Sequence, residues 1–469
     1  MDVPQFLTSA QCLDCRACCL FHDPSGDWAP RLTPEDVLAI GVLAEDIPWR
    51  DGAERVALCS CRGANACIFL DAATHHCRIY TARPLECRLY PFLLSHEKTG
   101  FRIYAHISCP AVMAERNGAV WERRVALIRD FFNRRDVKSY CYRNACCFPD
   151  YSLSPGEVEE VFAFDPGASL QVVRADIEAA LALSPPQALS SRHFINMFAW
   201  QDFFDFDVEE INGAVCVFAR QPAGVFMYWP PQGKDVVPAV IAACFQRMHA
   251  INRGGSLSRI EGVATGDLPL FDPRVYQVSL SGHEYIYRRE DVVSLRGKAY
   301  KSRRGDVNIF KRAHPQMPGL RPYAREDFNG CAALFDRWML GRRKQHENDV
   351  YGWMLEENRD VHRLLLAHAG ALGLMGRVLE IDGDIAAYTF GYALGEDVFC
   401  VLLEVVDLSV KGLPAFVFSR FCAEAALEKY RWINGMDAMA GERLARAKMS
   451  WRPERMEPVY VVTPLDRPR

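Results

Sequence analysis

From about residue 190 to the C-terminus, apolar positions fall into short extended runs separated by helical stretches. "AVCVFAR" (214–220) and "GVFMYWPP" (224–231) are β-branched and aromatic, and they predict two strands of a hairpin. "DVVPAVIAACFQRMHAIN" (235–252) repeats its apolar residues at helical spacing. "YQVSLSGHEYIYRRE" (276–290) reads as extended and is followed by a basic helix. The pattern is then a helix (323–343), a hairpin turning at Asp382-Gly383 (376–394), a strand (396–407), a helix (414–430) and a closing strand (458–464). Two successive units of mixed α/β character fit this order.

The first 150 residues differ. Short apolar-aromatic stretches ("CIFL", "CRIY", "CRLYPF") each open with a cysteine, and Pro84 and Pro91 punctuate them. Such a segment is mostly loops around a small core. From about 112 to 140, Val120, Val125, Ile128, Phe131 and Phe132 recur at helical spacing between charges and predict one amphipathic helix. "SLSPGEVEE" and "LALSPPQALSS" mark 151–190 as a linker. The predicted architecture is α+β/αβ: a Cys-rich metal-binding domain (1–150), the linker (151–190), a first α/β fold (191–310) and a second (311–469).

At 469 residues the chain has room for several domains, and its net charge of −4 gives no global pull toward nucleic acid. The N-terminus lacks the basic start, apolar core and small-residue cleavage site of a secretory signal. No apolar run reaches the roughly 18–20 residues of a spanning helix. These features predict a soluble cytoplasmic protein with reduced thiols. Of its 18 cysteines, 13 precede residue 148. Cys216, Cys244, Cys331, Cys400 and Cys422 are scattered singly in apolar settings and read as core. "CLDCRACC" (12–19), by contrast, aims several sulfurs at one point, as a thiophilic metal requires.

With "CIFLD" at Cys67, "CRIYTARPLECRLYPF" carrying Cys77 and Cys87, and Cys109, this stretch resembles the CxxCxxCC family of zinc- or iron-chelating domains. The resemblance implies Cys12, Cys15, Cys18, Cys19, Cys67, Cys77, Cys87 and Cys109 as ligands. Cys59, Cys61, Cys141, Cys146 and Cys147 are peripheral thiols or a second centre, and His75 and His76 read as a solvated turn. Zinc and an iron–sulfur cluster both suit thiolates, and the spacing matches neither the bacterial ferredoxin run nor a radical-SAM arrangement. The thiol count, above the four that one structural zinc uses, tilts the reading toward iron–sulfur.

The order of elements in 321–464 is that of a GNAT-type acyltransferase. Residues 191–469 more closely resemble the C-terminal domain family of phosphatidylglycerol lysyltransferases, two tandem GNAT-like folds. "FINMFAW", "WPPQG", "LRGKAYKSRRGDVNIFKR", "LEVVD", Gly412 and "INGMDAMAGERLARAKMSWRP" carry the likeness. Two positions depart from the family: Val405 stands where a lysine is usual, and Gly435–Ala438 replaces a charged stretch. The family's membrane-spanning half has no counterpart in this sequence, and a phospholipid acceptor is not expected.

Group transfer needs a base, donors for an oxyanion and a cradle for the donor's phosphates. Glu404 and Asp407, at the end of a buried strand, each read as a general base or as a cap for the following turn. Asn434 could polarise a carbonyl, and Lys448 could stabilise developing negative charge. The loop "VVDLSVKGLPAF" offers only Gly412 where a coenzyme A cradle uses several glycines, which disfavours acyl-CoA as donor. Residues 288–312 hold nine basic against three acidic side chains, with Arg296, Lys301, Arg303 and Arg304 as the phosphate-binding candidates. The leading expectation is a metal- or iron–sulfur-binding aminoacyltransferase using aminoacyl-tRNA, with an amine or hydroxyl acceptor on a small molecule, peptide or protein. The alternatives are an acyl-CoA-dependent N-acyltransferase and a non-catalytic metal- or redox-sensing regulator.

Overall fold

A computed structural model describes residues 3–8, 11, 17–21, 28–43, 54–61, 64–97, 100–154, 156–164, 178–179, 189–233, 236–253, 257–316, 319–343, 349–438 and 442–465. The chain forms two compact units, one from residues 1–167 and 324–368, the other from 168–323 and 369–469. The expected division into 191–310 and 311–469 is therefore crossed by an excursion: 324–368 folds with the Cys-rich segment.

In the first unit, β1 (Leu20–Phe21), β2 (Leu58–Cys61) and β3 (Ala64–Cys67) form an antiparallel sheet in the order β1-β3-β2. A second antiparallel sheet runs β4 (Phe92–Glu97), β5 (Gly100–His106), β6 (Val158–Phe164). Helices α1 (Pro34–Leu43) and α2 (Leu85–Leu89) lie in the Cys-rich part. The single helix expected over 112–140 is instead three: α3 (Pro110–Glu115), α4 (Ala119–Asn133) and α5 (Arg135–Arg143). Asn117 adopts φ 68°, a left-handed conformation that stops α3, and Gly118 is the N-cap of α4. Two later helices, Phe328–Arg343 and Asp349–Ala367, complete this unit. Asn329 Nδ2 donates to Leu32 O at 3.0 Å. The buried Arg363 donates to Glu35 at 2.8 Å and Asp336 at 3.0 Å. A hydrogen bond also joins His368 Nε2 to Tyr142 O at 2.7 Å.

The second unit is built on one eleven-stranded sheet. Its first half runs β7 (Asp205–Ile211), β8 (Ala214–Gln221), β9 (Gly224–Met227), helix α6 (Pro238–Asn252) and β10 (Ile260–Val263), then the long β11 (Tyr276–Arg288) and helix α7 (Lys301–Ala313). Its second half runs β12 (Arg321–Pro322), β13 (Met375–Ile381), β14 (Asp384–Ala393), β15 (Val398–Val406), helix α8 (Leu413–Cys422), β16 (Trp432–Asn434), helix α9 (Glu442–Met449) and β17 (Arg455–Pro464). The sheet order is β12-β13-β14-β15-β16-β11-β17-β10-β9-β8-β7.

A repeat is visible in that order. Each half opens with an antiparallel hairpin and adds a third strand. A helix then crosses to a parallel neighbour, β9-α6-β10 in one half and β15-α8-β16 in the other. This is the expected pair of tandem GNAT-like folds. The halves exchange closing strands, β11 pairing with β16 and β17 with β10, while β11 and β17 pair with each other over most of their length. The hairpin turn falls where expected, with Asp382 at φ 54° and Gly383 at φ 88°. Cores form on the crossover helices: Val240, Ile241, Cys244 and Met248 of α6 in one cluster, Leu413, Val417, Phe421 and Cys422 of α8 in the other. Each fully buried Leu, Val or Phe contributes about 1.5–3 kcal/mol. The five scattered cysteines are all buried, as their apolar settings required.

Candidate functional site

Two places gather chemistry, one in each unit. In the first, Cys18 and Cys19 sit on the turn Ala17–Cys19, Cys67 ends β3, Cys77 bridges to Leu70, and Cys87 lies mid-α2. An apolar platform of Leu32, Val37, Ile40, Val56, Phe69 and Ile79 supports Cys67 and Cys77. The thiols act on one another. Burial pushes the Cys87 thiol up, and Cys67, Cys18 and Cys77 push it further. Burial likewise raises Cys67 to about 12, with Cys77 and Cys59 adding to it. The Phe69 and Leu70 amides oppose that rise, as the Ile79 amide does at Cys77. Backbone N–H groups two and three residues past a cysteine favour its thiolate, as in thiolate metal sites.

Among the described residues, no three His, Cys, Asp or Glu side chains stand close enough together to hold an ion. Cys12 and Cys15 lie outside those residues. The donor set fits zinc or iron in its chemistry: half-buried thiols whose thiolate forms repel one another, a repulsion a cation would relieve. Cys109 is the buried N-cap of α3. Cys141, Cys146 and Cys147 are buried; the last two line a cavity of about 220 Å³ with Arg31, Arg325 and Asn329. The Cys61 side chain is outside the described residues. His75 and His76 lie in a turn held by Asp71.

In the second unit, Glu404 projects from β15, opposite Thr389. Its side chain is reached by solvent, yet protein surrounds the carboxyl as densely as in an interior. Burial pushes it up to about 8, against the pull of the Lys448 ammonium, and it takes no hydrogen bond among the described residues. Lys448, on α9, donates to the carbonyls of Gly435 and Asp437. Burial lowers its ammonium from the ordinary range, opposed by Asp437, Cys400, Glu284 and Glu404.

Asn434, fully buried at the end of β16, is a brace. Its Nδ2 donates to Glu284 at 2.5 Å, and its Oδ1 accepts from Met436 N at 2.6 Å. Met436 at φ 59° then turns the Gly435–Asp437 carbonyls toward Lys448. Glu284, only 3 % exposed, also accepts from Ser190 N at 2.8 Å and Ser190 Oγ at 2.7 Å. Burial pushes its carboxyl up while Asn434 and Ser190 oppose that rise. Sequence reasoning did not single out Glu284 or Ser190. The signal was a lone acid in the inward-facing "HEYIY" of β11.

The other candidates separate. Asp407 accepts from Ser409 N at 2.8 Å and Ser409 Oγ at 2.6 Å; it caps the turn, the second of its two readings. Gly412 caps α8 at φ 80°, where a Cβ would lie 2.2 Å from Asp306 O of α7. Arg303 bonds Ser450 and Asp306 and stacks on Trp451, while Arg304 ties down Leu295 O and Gly297 O. Arg296 and Lys301 point into solvent. Arg296 lies before α7, not on it.

Comparisons with known proteins agree with this architecture. The family model "Phosphatidylglycerol lysyltransferase, C-terminal" matches residues 186–463, and "Putative zinc- or iron-chelating domain" (CxxCxxCC) matches 11–110. A conserved protein of unknown function from Bacteroides thetaiotaomicron shares 22% identity over 63% of this chain and 97% of its own, with a TM-score of 0.55. L-PGS from Bacillus licheniformis matches at 19% identity over 63% and 92% of the two chains, TM-score 0.44. A tandem GNAT protein from the clavulanic acid biosynthesis pathway matches at 11% over 63% and 94%, TM-score 0.36. No curated protein matches. With the paired crossover units and the motif stretches in place, the chain belongs to the phosphatidylglycerol lysyltransferase C-terminal family, behind a CxxCxxCC domain.

Proposed function

We propose that the second unit transfers an aminoacyl group from aminoacyl-tRNA to an amine or hydroxyl acceptor, with Glu404 as the general base. The observation that carries this is the Glu404 carboxyl, unpartnered, wetted and raised to about 8. In this reading Glu404 takes the acceptor's proton as it attacks the donor ester. Lys448 has three N–H groups and spends two on Gly435 and Asp437. The third is left for the oxyanion of the tetrahedral intermediate. Glu284, Ser190 and Asn434 hold the loop that aims it.

The start of α8 argues against coenzyme A. A pyrophosphate cradle needs free N–H groups at a helix N-terminus. Here Leu413 N is bonded to Val410 O at 3.3 Å, Pro414 has none, and α7 closes on Gly412. Arg296, ahead of α7, and Lys301, at its start, are both exposed and remain as phosphate contacts for tRNA.

The first unit, on this proposal, binds zinc or iron through Cys18, Cys67, Cys77 and Cys87, with Cys12, Cys15 and Cys19 as further donors. The metal would pin loops that have little core. The test uses full-length protein with tRNA charged with radiolabelled lysine and a small primary amine as acceptor. Label should leave the tRNA, and Glu404→Gln should slow its release about 100-fold or more. Tight coenzyme A binding, or release indifferent to Glu404→Gln, would overturn the reading.

A further inference from the structure

The metal reading above leaves a mechanical question: what holds Cys87 in place? Its helix α2 is five residues long, too short to persist by its own hydrogen bonds. No side chain of its own N-cap, Pro84, bonds to it. The support comes from α1, about fifty positions earlier. Asp36 Oδ1 accepts the Leu85 amide, the first of α2, at 3.0 Å. Asp36 Oδ2 accepts from Thr33 N at 3.1 Å and Thr33 Oγ1 at 2.8 Å, and Asp36 N donates back to Thr33 Oγ1 at 3.2 Å. One carboxylate therefore closes the reciprocal cap of α1 and anchors the start of α2.

This Asp36 is 4 % exposed, and Arg88 of α2 stands 3.9 Å from Oδ1. On its far side Thr33 Oγ1 bonds the Tyr140 hydroxyl at 2.7 Å. Next to Cys87, Glu86 accepts from Arg31 N at 2.8 Å.

We infer that Asp36 is a positioning residue for the thiol-bound metal: it locks α2, and so holds the Cys87 sulfur on the side of Cys18, Cys67 and Cys77. Asp36 is no ligand. It acts through the Leu85 amide, as outer-shell partners fix the ligands of other metal sites. The inference rests on the chelating reading of these thiols.

The experiment titrates cobalt(II) into anaerobic, reduced full-length protein and follows thiolate-to-cobalt absorption. Asp36→Asn keeps the shape but turns one acceptor into a donor facing Leu85 N or Thr33. Its cobalt affinity should fall about 10–100-fold with an unchanged far-UV spectrum. Tyr140→Phe, which cuts the network only on the α1 side, should bind cobalt like the wild type while losing comparable stability. Equal affinity in Asp36→Asn and the wild type overturns the positioning role. Absence of cobalt–thiolate bands in the wild type overturns the chelating reading itself, a separate result. If Asp36→Asn does not fold, amide exchange in the wild type decides. Metal loading should slow exchange at Leu85 at least tenfold, since coupling between ligand and anchor is reciprocal; an unchanged rate overturns the inference.

Discussion

Replacing Gly412 with alanine separates two roles for this glycine. As a phosphate-cradling residue in an open loop, it would accept a methyl at the cost of its backbone conformation alone. At φ 80° that is about 1–2 kcal/mol. In the structure, however, the new Cβ would sit 2.2 Å from Asp306 O and 3.1 Å from Phe310 N, both main-chain atoms of α7. Neither can swing away as a side chain would. Helices α7 and α8 must part by about an ångström, disturbing Phe310 against Phe416, whose tilted rings lie 4.5 Å apart. Overpacking of this kind costs about 1–3 kcal/mol on top of the backbone term, so Gly412→Ala should lose about 2–5 kcal/mol. Two compact units need not unfold together, so a single transition is the wrong readout. Urea unfolding should be followed by hydrogen exchange in peptides spanning α7 and α8. A loss below about 2 kcal/mol would refute the closed packing, and with it the argument that α8 offers no pyrophosphate cradle.

Further outcomes test Glu404 and the thiols. If Glu404 acts as base, its ionised form is the active one, so release of label should rise with pH through about 8 and level off above it; a rate that falls with pH would make it an acid instead. Lys448→Met removes the one charge that lowers the Glu404 carboxyl, so that midpoint should move higher; an unmoved midpoint would sever the two residues. Asp407→Ala should cost about 0.5–2 kcal/mol of stability through the lost turn cap, with the pH profile unchanged. Stripping metal with a chelator under reducing conditions should raise exchange in β2, β3 and α2 and leave β11 and β17 protected; uniform behaviour across both units would contradict a local structural metal.

The elements of the second unit were legible because each carries its own signal. Asp382-Gly383 supplies the positive φ of a hairpin turn, and the apolar runs of α6 and α8 bury one-sided faces. What was not legible is partnership. Nothing local to "YQVSLSGHEYIY" reveals that its neighbour is a strand beginning at Arg455. Likewise, helical spacing in 323–343 shows an apolar face without showing that Asn329 bonds Leu32, just ahead of α1. Arg303 and Arg304 look like phosphate ligands in any count of charges, and only the fold shows them spent on Ser450 and on main-chain carbonyls. Glu404 and Lys448 were singled out from their place in the motif, and the fold brings them within electrostatic reach of each other. The Glu284 brace was missed because its partners, Ser190 and Asn434, are remote in the chain.

The exchanged strands make the two repeats hard to separate. A chain ending before Arg455 would strip a neighbour from both β10 and β11, leaving two bare edges inside one sheet. Neither repeat can be inherited, truncated or transplanted by itself. A lesion in the last ten residues of β17 is felt at once by the half that was synthesised first.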